Sequence, residues 1–280
     1  MSLSGLLLRG TEHIMPFKCL TLLSGKIAEA KLGFLSQFLI KNFIKSFKIN
    51  LDECEQQNLS SYSCFNDFFT RRLKEDARPI SNSCLACSPV DGTVAELGDI
   101  SFGRLIQAKG IDYSLREVIG GDQKDAAAFE AGLFATIYLS PANYHRIHMP
   151  MDANLKKTIY VPGTLYPVGD RNIQNMSNLY SSNERLVCLF ESELGSFCLI
   201  MVGAALVGSI STVWGGVVKR SSEVKVDDFD PGQYSFKRGD EIGMFKYGST
   251  VICMWPENIG RLPETLSAGE KIQMGSSLLL

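Results

Sequence analysis

The feature that most constrains the fold of this chain is the regular spacing of turn signals after residue 85. Short apolar or alternating runs are separated there by residues that favour turns. These signals are Asp91-Gly92, Gly120-Gly121, Ser140-Pro141, Pro162-Gly163, Gly195, Gly215-Gly216, Pro231-Gly232 and Gly239-Asp240. Such spacing is typical of antiparallel sheets. It predicts a compact β-rich domain, built as a barrel or a sandwich, with an exposed loop over the acidic segment 221–230.

The N-terminal part of the chain shows helical periodicity instead. Between residues 33 and 48, apolar side chains recur at spacings of one, three and four, and lysines fall on the opposite side. The apolar stripe comprises Phe34, Leu35, Phe38, Leu39, Phe43, Ile44 and Phe47. Two interpretations stay open, since the stripe either packs on the core or enters a membrane surface. Residues 65–73 predict another short helix with its aromatic side chains turned inward.

Together these patterns predict an α+β protein with two regions. N-terminal amphipathic helices occupy residues 1–75, and a β-rich, mainly antiparallel domain occupies residues 76–280. A chain of 280 residues can bury a sizeable core in one or two such domains.

Charge and hydropathy limit the partners. The formal charge of −2 provides no overall attraction to nucleic acid. Residues 1–48 are locally basic, with seven Lys or Arg against two acidic residues, which favours contact with an anionic surface. No run approaches the roughly 20 apolar residues of a spanning helix, and we see no secretory leader. We therefore expect a peripheral protein on the cytoplasmic face of the cell membrane.

The eight cysteines do not indicate disulfides. They are dispersed and several lie in apolar runs, where cysteine behaves as a small buried hydrophobe in a reducing compartment. Cys84 and Cys87 form an isolated C-x-x-C without a second pair that would complete a zinc site. We expect no bound metal.

Three segments contain the residue types that form an activated nucleophile. Gly248 precedes Ser249 just before an apolar run that predicts a buried strand. Two of the chain's three histidines, His145 and His148, lie together between two prolines, and Asp91 occupies a turn. Serine, histidine and aspartate together favour nucleophilic chemistry. Glycine suits the bond before the serine, because the missing side chain admits a hydroxyl and strained backbone angles.

These segments resemble the bacterial-type phosphatidylserine decarboxylases, which cut themselves and convert the new N-terminal serine into a pyruvoyl group. The resemblance covers most of the chain. It rests on residues 65–69, 106–110, 159–163 and 245–252. The family motif usually has an aliphatic residue where this chain has Tyr247, a departure that leaves the Gly248-Ser249 bond intact.

The resemblance implies a reaction and a set of roles. Ser249 attacks the Gly248 carbonyl, His148 takes its proton, and Asp91 accepts a hydrogen bond from the other imidazole nitrogen. The products are a β chain, 1–248, and an α chain, 249–280, which begins with the covalent pyruvoyl group. That group forms a Schiff base with phosphatidylserine and releases CO₂ and phosphatidylethanolamine.

Further expectations follow from the same resemblance. The histidine matching His148 also serves turnover, as proton donor to the carbanion, and the one matching His145 lies near the substrate. The partners are phosphatidylserine, an anionic membrane surface and a second αβ unit in a homodimer.

Two other functions compete with this one. Asp91, His145 and His148 are potential ligands of a metal-dependent hydrolase, although residues three apart face opposite sides of a strand. A non-enzymatic carrier domain with an accepting histidine is the second alternative, and it would remain a single uncut chain.

Overall fold

A computed structural model describes residues 25–108, 111–205, 209–246 and 249–280. Residues 25–29 are helical, and a 3₁₀ turn spans Leu59–Ser61. The helices are α1 (Phe34–Phe47), α2 (Phe65–Phe69), α3 (Leu115–Ile119), α4 (Gln123–Ala127), α5 (Asp170–Ile173) and α6 (Leu179–Ser182).

The strands of the N-terminal half are β1 (Ala86–Cys87), β2 (Gly92–Asp99), β3 (Arg104–Ala108), β4 (Ile111–Ser114), β5 (Leu133–Leu139), β6 (Arg146–His148) and β7 (Ala153–Val161). Those of the C-terminal half are β8 (Arg185–Ser192), β9 (Gly195–Val202), β10 (Ile210–Thr212), β11 (Gly216–Val217), β12 (Lys225–Asp228), β13 (Ser235–Phe236), β14 (Glu241–Phe245), β15 (Ser249–Trp255), β16 (Lys271–Ile272) and β17 (Ser277–Leu279). The fold is therefore α+β, as the sequence predicts.

The centre of the molecule is a nine-stranded antiparallel sheet. Its order is β12-β7-β8-β9-β15-β5-β2-β16, and β13 also pairs with β7. Because this order leaves β12 and β16 at opposite edges, the sheet does not close into a barrel. A four-stranded sheet, β11-β10-β14-β6, packs on one face, and its Ile147, Ile242 and Phe245 share a core cluster with Val251 of β15. The β region is thus a sandwich.

The other face of the nine-stranded sheet is covered by short helices and the β3–β4 hairpin. Side chains such as Val118 of α3 and Tyr180 of α6 share a second core cluster with Ile252 of β15. Alternate residues of β15 therefore enter different cores, which follows from the two-residue period of a strand.

The N-terminal helices have a core of their own. It includes Ile40 of α1 together with Phe65, Phe68 and Phe69 of α2. The aromatic side chains of α2 are buried, as the sequence predicts. α1 ends where Lys48 adopts a left-handed conformation, with φ of 52°. The boundary at residue 75 stays a prediction.

The acidic segment 221–230 is exposed as expected, but its residues Lys225–Asp228 form edge strand β12 and not a loop, because they continue the sheet beside β7. The seven described cysteines are buried free thiols, which confirms the prediction that they behave as small buried hydrophobes. Cys19 lies outside the described residues. None of the described helices has the length and apolar character needed to cross a bilayer.

Candidate active site

The cleavage motif lies where the chain passes from one sheet to the other. β14 belongs to the four-stranded sheet, and β15, which begins at Ser249, belongs to the nine-stranded sheet. The backbone of Ser249 is paired with Leu139, the last residue of β5. Tyr247 and Gly248 lie outside the described residues. The loop that follows Leu139 leads directly to the two histidines.

His148 is a buried histidine at the end of β6. Its backbone N–H donates to Pro89 O at 2.9 Å, which ties it to the turn that carries Asp91. Its Nδ1 lies 2.7 Å from Gly239 O, and its Nε2 lies 3.0 Å from Tyr144 Oη. A carbonyl oxygen only accepts, so Nδ1 carries the proton and Nε2 presents a lone pair.

Burial lowers the pKa of His148 below its ordinary value, and this effect outweighs the opposing hydrogen bond to Gly239 O and the charge of Glu241. The imidazole is consequently neutral near pH 7. A neutral ring with a lone pair on Nε2 is the form that a general base requires.

Asp91 has a different partner from the one that the sequence predicts. Its carboxylate accepts from Arg78 Nε at 2.9 Å, from Arg78 Nη2 at 2.6 Å and from the Met274 N–H at 2.9 Å. The predicted hydrogen bond from His148 is wrong, because both ring nitrogens of His148 have other partners. A guanidinium forms a forked, charge-assisted contact that a neutral imidazole cannot match.

The turn at Asp91 is held close to the central sheet by the glycine that follows. A Cβ on Gly92 would lie 2.5 Å from Tyr138 O, so a larger residue would push β2 away from β5. Asp91 remains near enough to His148 for its charge to favour the imidazolium form, as a minor influence on the pKa of His148. The aspartate thus acts on the histidine through space.

His145 is fully buried beneath the N-terminal helices. Its ring centroid lies 4.1 Å from that of Phe69, and its Nδ1 lies 2.8 Å from Asn143 O. Its Nε2 has no hydrogen-bond partner. Burial, reinforced by the charge of Arg71, lowers the pKa of His145 to about 3. The role near the substrate stays a prediction, since Phe69 covers this ring in the present conformation.

A cleft of about 810 Å³ opens between the N-terminal region and the sandwich. Asp91, Arg78 and Tyr144 line it, whereas His148 does not. Sequence reasoning missed Arg78, Tyr144 and Gly239 as partners of the predicted site. The signal for Tyr144 was its place beside His145, but nothing local marks Arg78 or Gly239.

The donors of the predicted metal alternative are not assembled. Among the described residues, no group of three or more His, Cys, Asp or Glu side chains is placed to hold an ion. Asp91 is bound to Arg78, and both nitrogens of His148 contact protein groups. The arrangement does not favour a metal-dependent hydrolase.

Comparisons with known proteins agree with the resemblance. The family model described as phosphatidylserine decarboxylase matches residues 65–280. A phosphatidylserine decarboxylase proenzyme of Pseudoalteromonas translucida (strain TAC 125) is 44% identical over 267 residues, covering 91% of this chain and 93% of the relative. The proenzyme of the same name from Hahella chejuensis (strain KCTC 2396) is 42% identical, covering 99% and 95%. One from Aliivibrio fischeri (strain ATCC 700601 / ES114) is 43% identical, covering 95% of each. This chain belongs to the phosphatidylserine decarboxylase family.

Proposed function

We propose that this chain is a proenzyme that cuts itself between Gly248 and Ser249 and then decarboxylates phosphatidylserine to phosphatidylethanolamine and CO₂. The observation that carries the proposal is the pairing of Ser249 with Leu139. That register brings the start of β15 to the loop that leads to a buried, neutral His148. The names of the relatives favour the substrate.

The cut begins with attack by the Ser249 hydroxyl on the Gly248 carbonyl carbon. The Nε2 lone pair of His148 is the destination of the serine proton, and the Gly239 carbonyl holds the other ring nitrogen throughout. An ester then replaces the peptide bond. Loss of the Ser249 α-proton expels the Gly248 carboxylate, and the dehydroalanine that remains hydrolyses to a pyruvoyl group and ammonia.

The residues around β15 fit a prosthetic group at its first position. β15 pairs along its whole length with β5, and residues 250–254 also pair with β9. Val251 to Trp255 are fully buried. These ladders and contacts keep residues 249–280 in place after the cut. A pyruvoyl ketone at position 249 would supply an electrophilic carbonyl for the substrate amine and an acceptor for the electron pair left by CO₂.

We place the protein peripherally on the cytoplasmic face of the membrane, and the surface of α1 supports the contact with a membrane. Phe34 is 86% exposed and Phe38 is 52% exposed, with exposed Lys31 and Lys41 nearby in the sequence. Phenylalanine in the headgroup region and lysine on anionic lipid are the usual pair of contacts. Phe43 does not share this role, because its ring packs against Phe65, with 5.1 Å between the ring centroids.

The larger assembly follows the family resemblance. The β chain and the α chain stay associated as one unit, and two such units form a homodimer. Residues 1–75 form the membrane-associating region.

The proposed function is tested by intact mass measurement. Wild-type protein should give fragments 1–248 and 249–280, the latter with the mass of an N-terminal pyruvoyl group. Ser249→Ala should stay uncut and inactive, while Ser192→Ala, in the β8–β9 hairpin, should mature normally. Active wild-type protein that consists of one unbroken chain would overturn the proposal.

A further inference from the structure

The cleft between the N-terminal region and the sandwich is lined by two buried arginines that differ in their partners. Arg78 has two carboxylates, since its Nη2 lies 2.8 Å from Glu53 Oε2 and 2.6 Å from Asp91 Oδ2. Arg71 is only 5% exposed, yet its Nε and Nη1 have no hydrogen-bond partner among the described residues. A buried cation without an oxyanion is costly. The described part of the chain therefore does not supply the partner that Arg71 requires.

The contacts that Arg71 does form are weak. Its Nη2 donates to Ala142 O at 3.2 Å and to Asn143 O at 3.5 Å, and both of these residues also line the cleft. The guanidinium carbon lies 5.4 Å from the centroid of the Phe68 ring, a contact that leaves the N–H groups unbonded. By contrast, the buried Arg185 donates to four backbone carbonyls at 2.6 to 2.8 Å. Arg71 thus lacks the hydrogen bonds of a purely structural arginine.

The neighbouring Cys54 does not provide the missing negative charge. Burial raises the pKa of this thiol above its ordinary value, and the opposing influence of Arg71 is smaller. Cys54 is therefore a neutral thiol near pH 7, and its Sγ lies 3.7 Å from Asn50 O, to which it donates. Sulfur is only a weak acceptor for a guanidinium. An oxyanion from outside the chain would be a better partner.

We propose that Arg71 binds the phosphate group of an anion that enters this cleft. The planar fork of a guanidinium matches two phosphate oxygens at once. Two exposed lysines, Lys48 and Lys271, line the same cleft and add positive charge to it. The cleft volume of about 810 Å³ admits a phosphate that carries an organic substituent.

A phospholipid headgroup is the source that the surroundings favour. Lys48 directly follows α1, and Phe47, the last residue of that helix, is 42% exposed. The cleft therefore begins where the helix proposed to lie on the membrane ends. This preference rests on the membrane contact in the proposed function, whereas the phosphate site itself does not. Free inorganic phosphate has the same recognition chemistry.

The test is isothermal titration calorimetry of the wild-type full chain at constant ionic strength, with two probes. One is monomeric dihexanoylphosphatidylglycerol, which carries a phosphodiester but no amine and so cannot form a Schiff base. The other is inorganic phosphate, which should compete with the lipid. Arg71→Gln should weaken the binding of both by about 10- to 150-fold, the loss expected for a charge-assisted hydrogen bond.

Two further variants separate binding from folding. Lys271→Gln changes an exposed residue of the cleft and should weaken binding by about two- to fivefold. Arg104→Gln on β3 is the matched control, because it removes an arginine that does not line the cleft, and it should bind both probes like wild type.

The relative affinities of the two probes identify the source of the phosphate. Tighter binding of the lipid assigns the site to a headgroup, tighter binding of inorganic phosphate assigns it to the free anion, and either result supports the site. Failure of wild type to bind either probe, or wild-type affinity in folded Arg71→Gln, would overturn it. Should Arg71→Gln fail to fold, wild-type affinity in Lys271→Gln would overturn it instead. An uncut wild-type chain that binds both probes would contradict the proposed function and leave this site intact.

Discussion

Strand β15 and helix α1 are both rich in apolar residues, but the apolar side chains of the strand are buried, whereas several of those of the helix are exposed. Val251 to Trp255 of β15 are fully buried between two cores, whereas Phe34 of α1 is 86% exposed. The strand lies immediately after the proposed cut and must stay attached without a peptide bond. The helix leaves an apolar surface that the described fold does not cover. Burial thus follows the task proposed for each region.

The first prediction concerns the ionic link between the two regions. Arg78 donates to Glu53 Oε2 at 2.8 Å on the N-terminal side and to Asp91 at 2.6 Å on the sandwich side. Arg78→Ala leaves Asp91 buried without its cation, which should lower the free energy of unfolding by about 3–5 kcal/mol. Urea denaturation measures this loss.

The control for Arg78 is the exposed pair of Arg104 and Asp112. Arg104→Ala should leave the unfolding curve nearly unchanged, because solvent screens an exposed ion pair. If Arg78→Ala were equally silent, the contacts of Arg78 with Glu53 and Asp91 would contribute nothing measurable to stability.

The second prediction tests the retention of β15. Ile252 is fully buried, so Ile252→Ala leaves a cavity in the core and should lower the free energy of unfolding by about 2–5 kcal/mol. After the cut, this variant should release residues 249–280 at a lower urea concentration, as seen by size-exclusion chromatography. Val226→Ala on exposed edge strand β12 is the control. Equal retention in both variants would show that the ladder alone holds the fragment.

The sequence predicted these two regions because their patterns are local. The apolar period of α1 and the apolar run of β15 each extend over neighbouring residues, and both elements form where expected. Edge strand β12 was missed, because an exposed polar strand depends on its neighbour β7 and has no apolar pattern of its own. The sequence also did not reveal which part of the apolar stripe of α1 is buried, since that depends on α2.

The candidate site could be proposed from its residue types, but its contacts could not be predicted. Histidine, serine and aspartate indicate the chemistry proposed here, and the fold brings the backbone of Ser249 to the loop before His148. The pairing of Asp91 with Arg78 and of His148 with Gly239 was not predictable, because these partners meet only after the sheets assemble. The second contact joins residues 91 positions apart in the sequence.

The third prediction uses the buried histidine at the boundary of the regions. The pKa of His145 is about 3 in the folded protein and has the ordinary value of 6.5 when exposed. Its contribution to stability is therefore complete above pH 6.5 and is lost as the pH falls towards 3, by about 1.4 kcal/mol per pH unit.

Replacing His145 measures its contribution to the pH dependence of stability. His145→Gln should give a shallower fall of unfolding free energy between pH 6 and about pH 4 than wild type, with parallel curves above pH 6.5. His148 also has a lowered pKa, so it should contribute part of the fall of unfolding free energy with falling pH in both proteins. Identical slopes in the two proteins would show that folding does not lower the pKa of His145.

The fourth prediction separates the two faces of α1. Burying a phenylalanine in the headgroup region stabilises binding by about 1.5–3 kcal/mol, so Phe34→Ser should lower partitioning onto phosphatidylserine-containing liposomes by about 10- to 150-fold. Its unfolding free energy should not change, since the side chain is 86% exposed. The opposite result is expected for Phe43→Ser. The ring centroid of Phe43 lies 5.1 Å from that of Phe65, so this change should lower the free energy of unfolding. Equal liposome binding by wild type and Phe34→Ser, with both folded, would show that the exposed side chain of Phe34 does not enter the lipid surface.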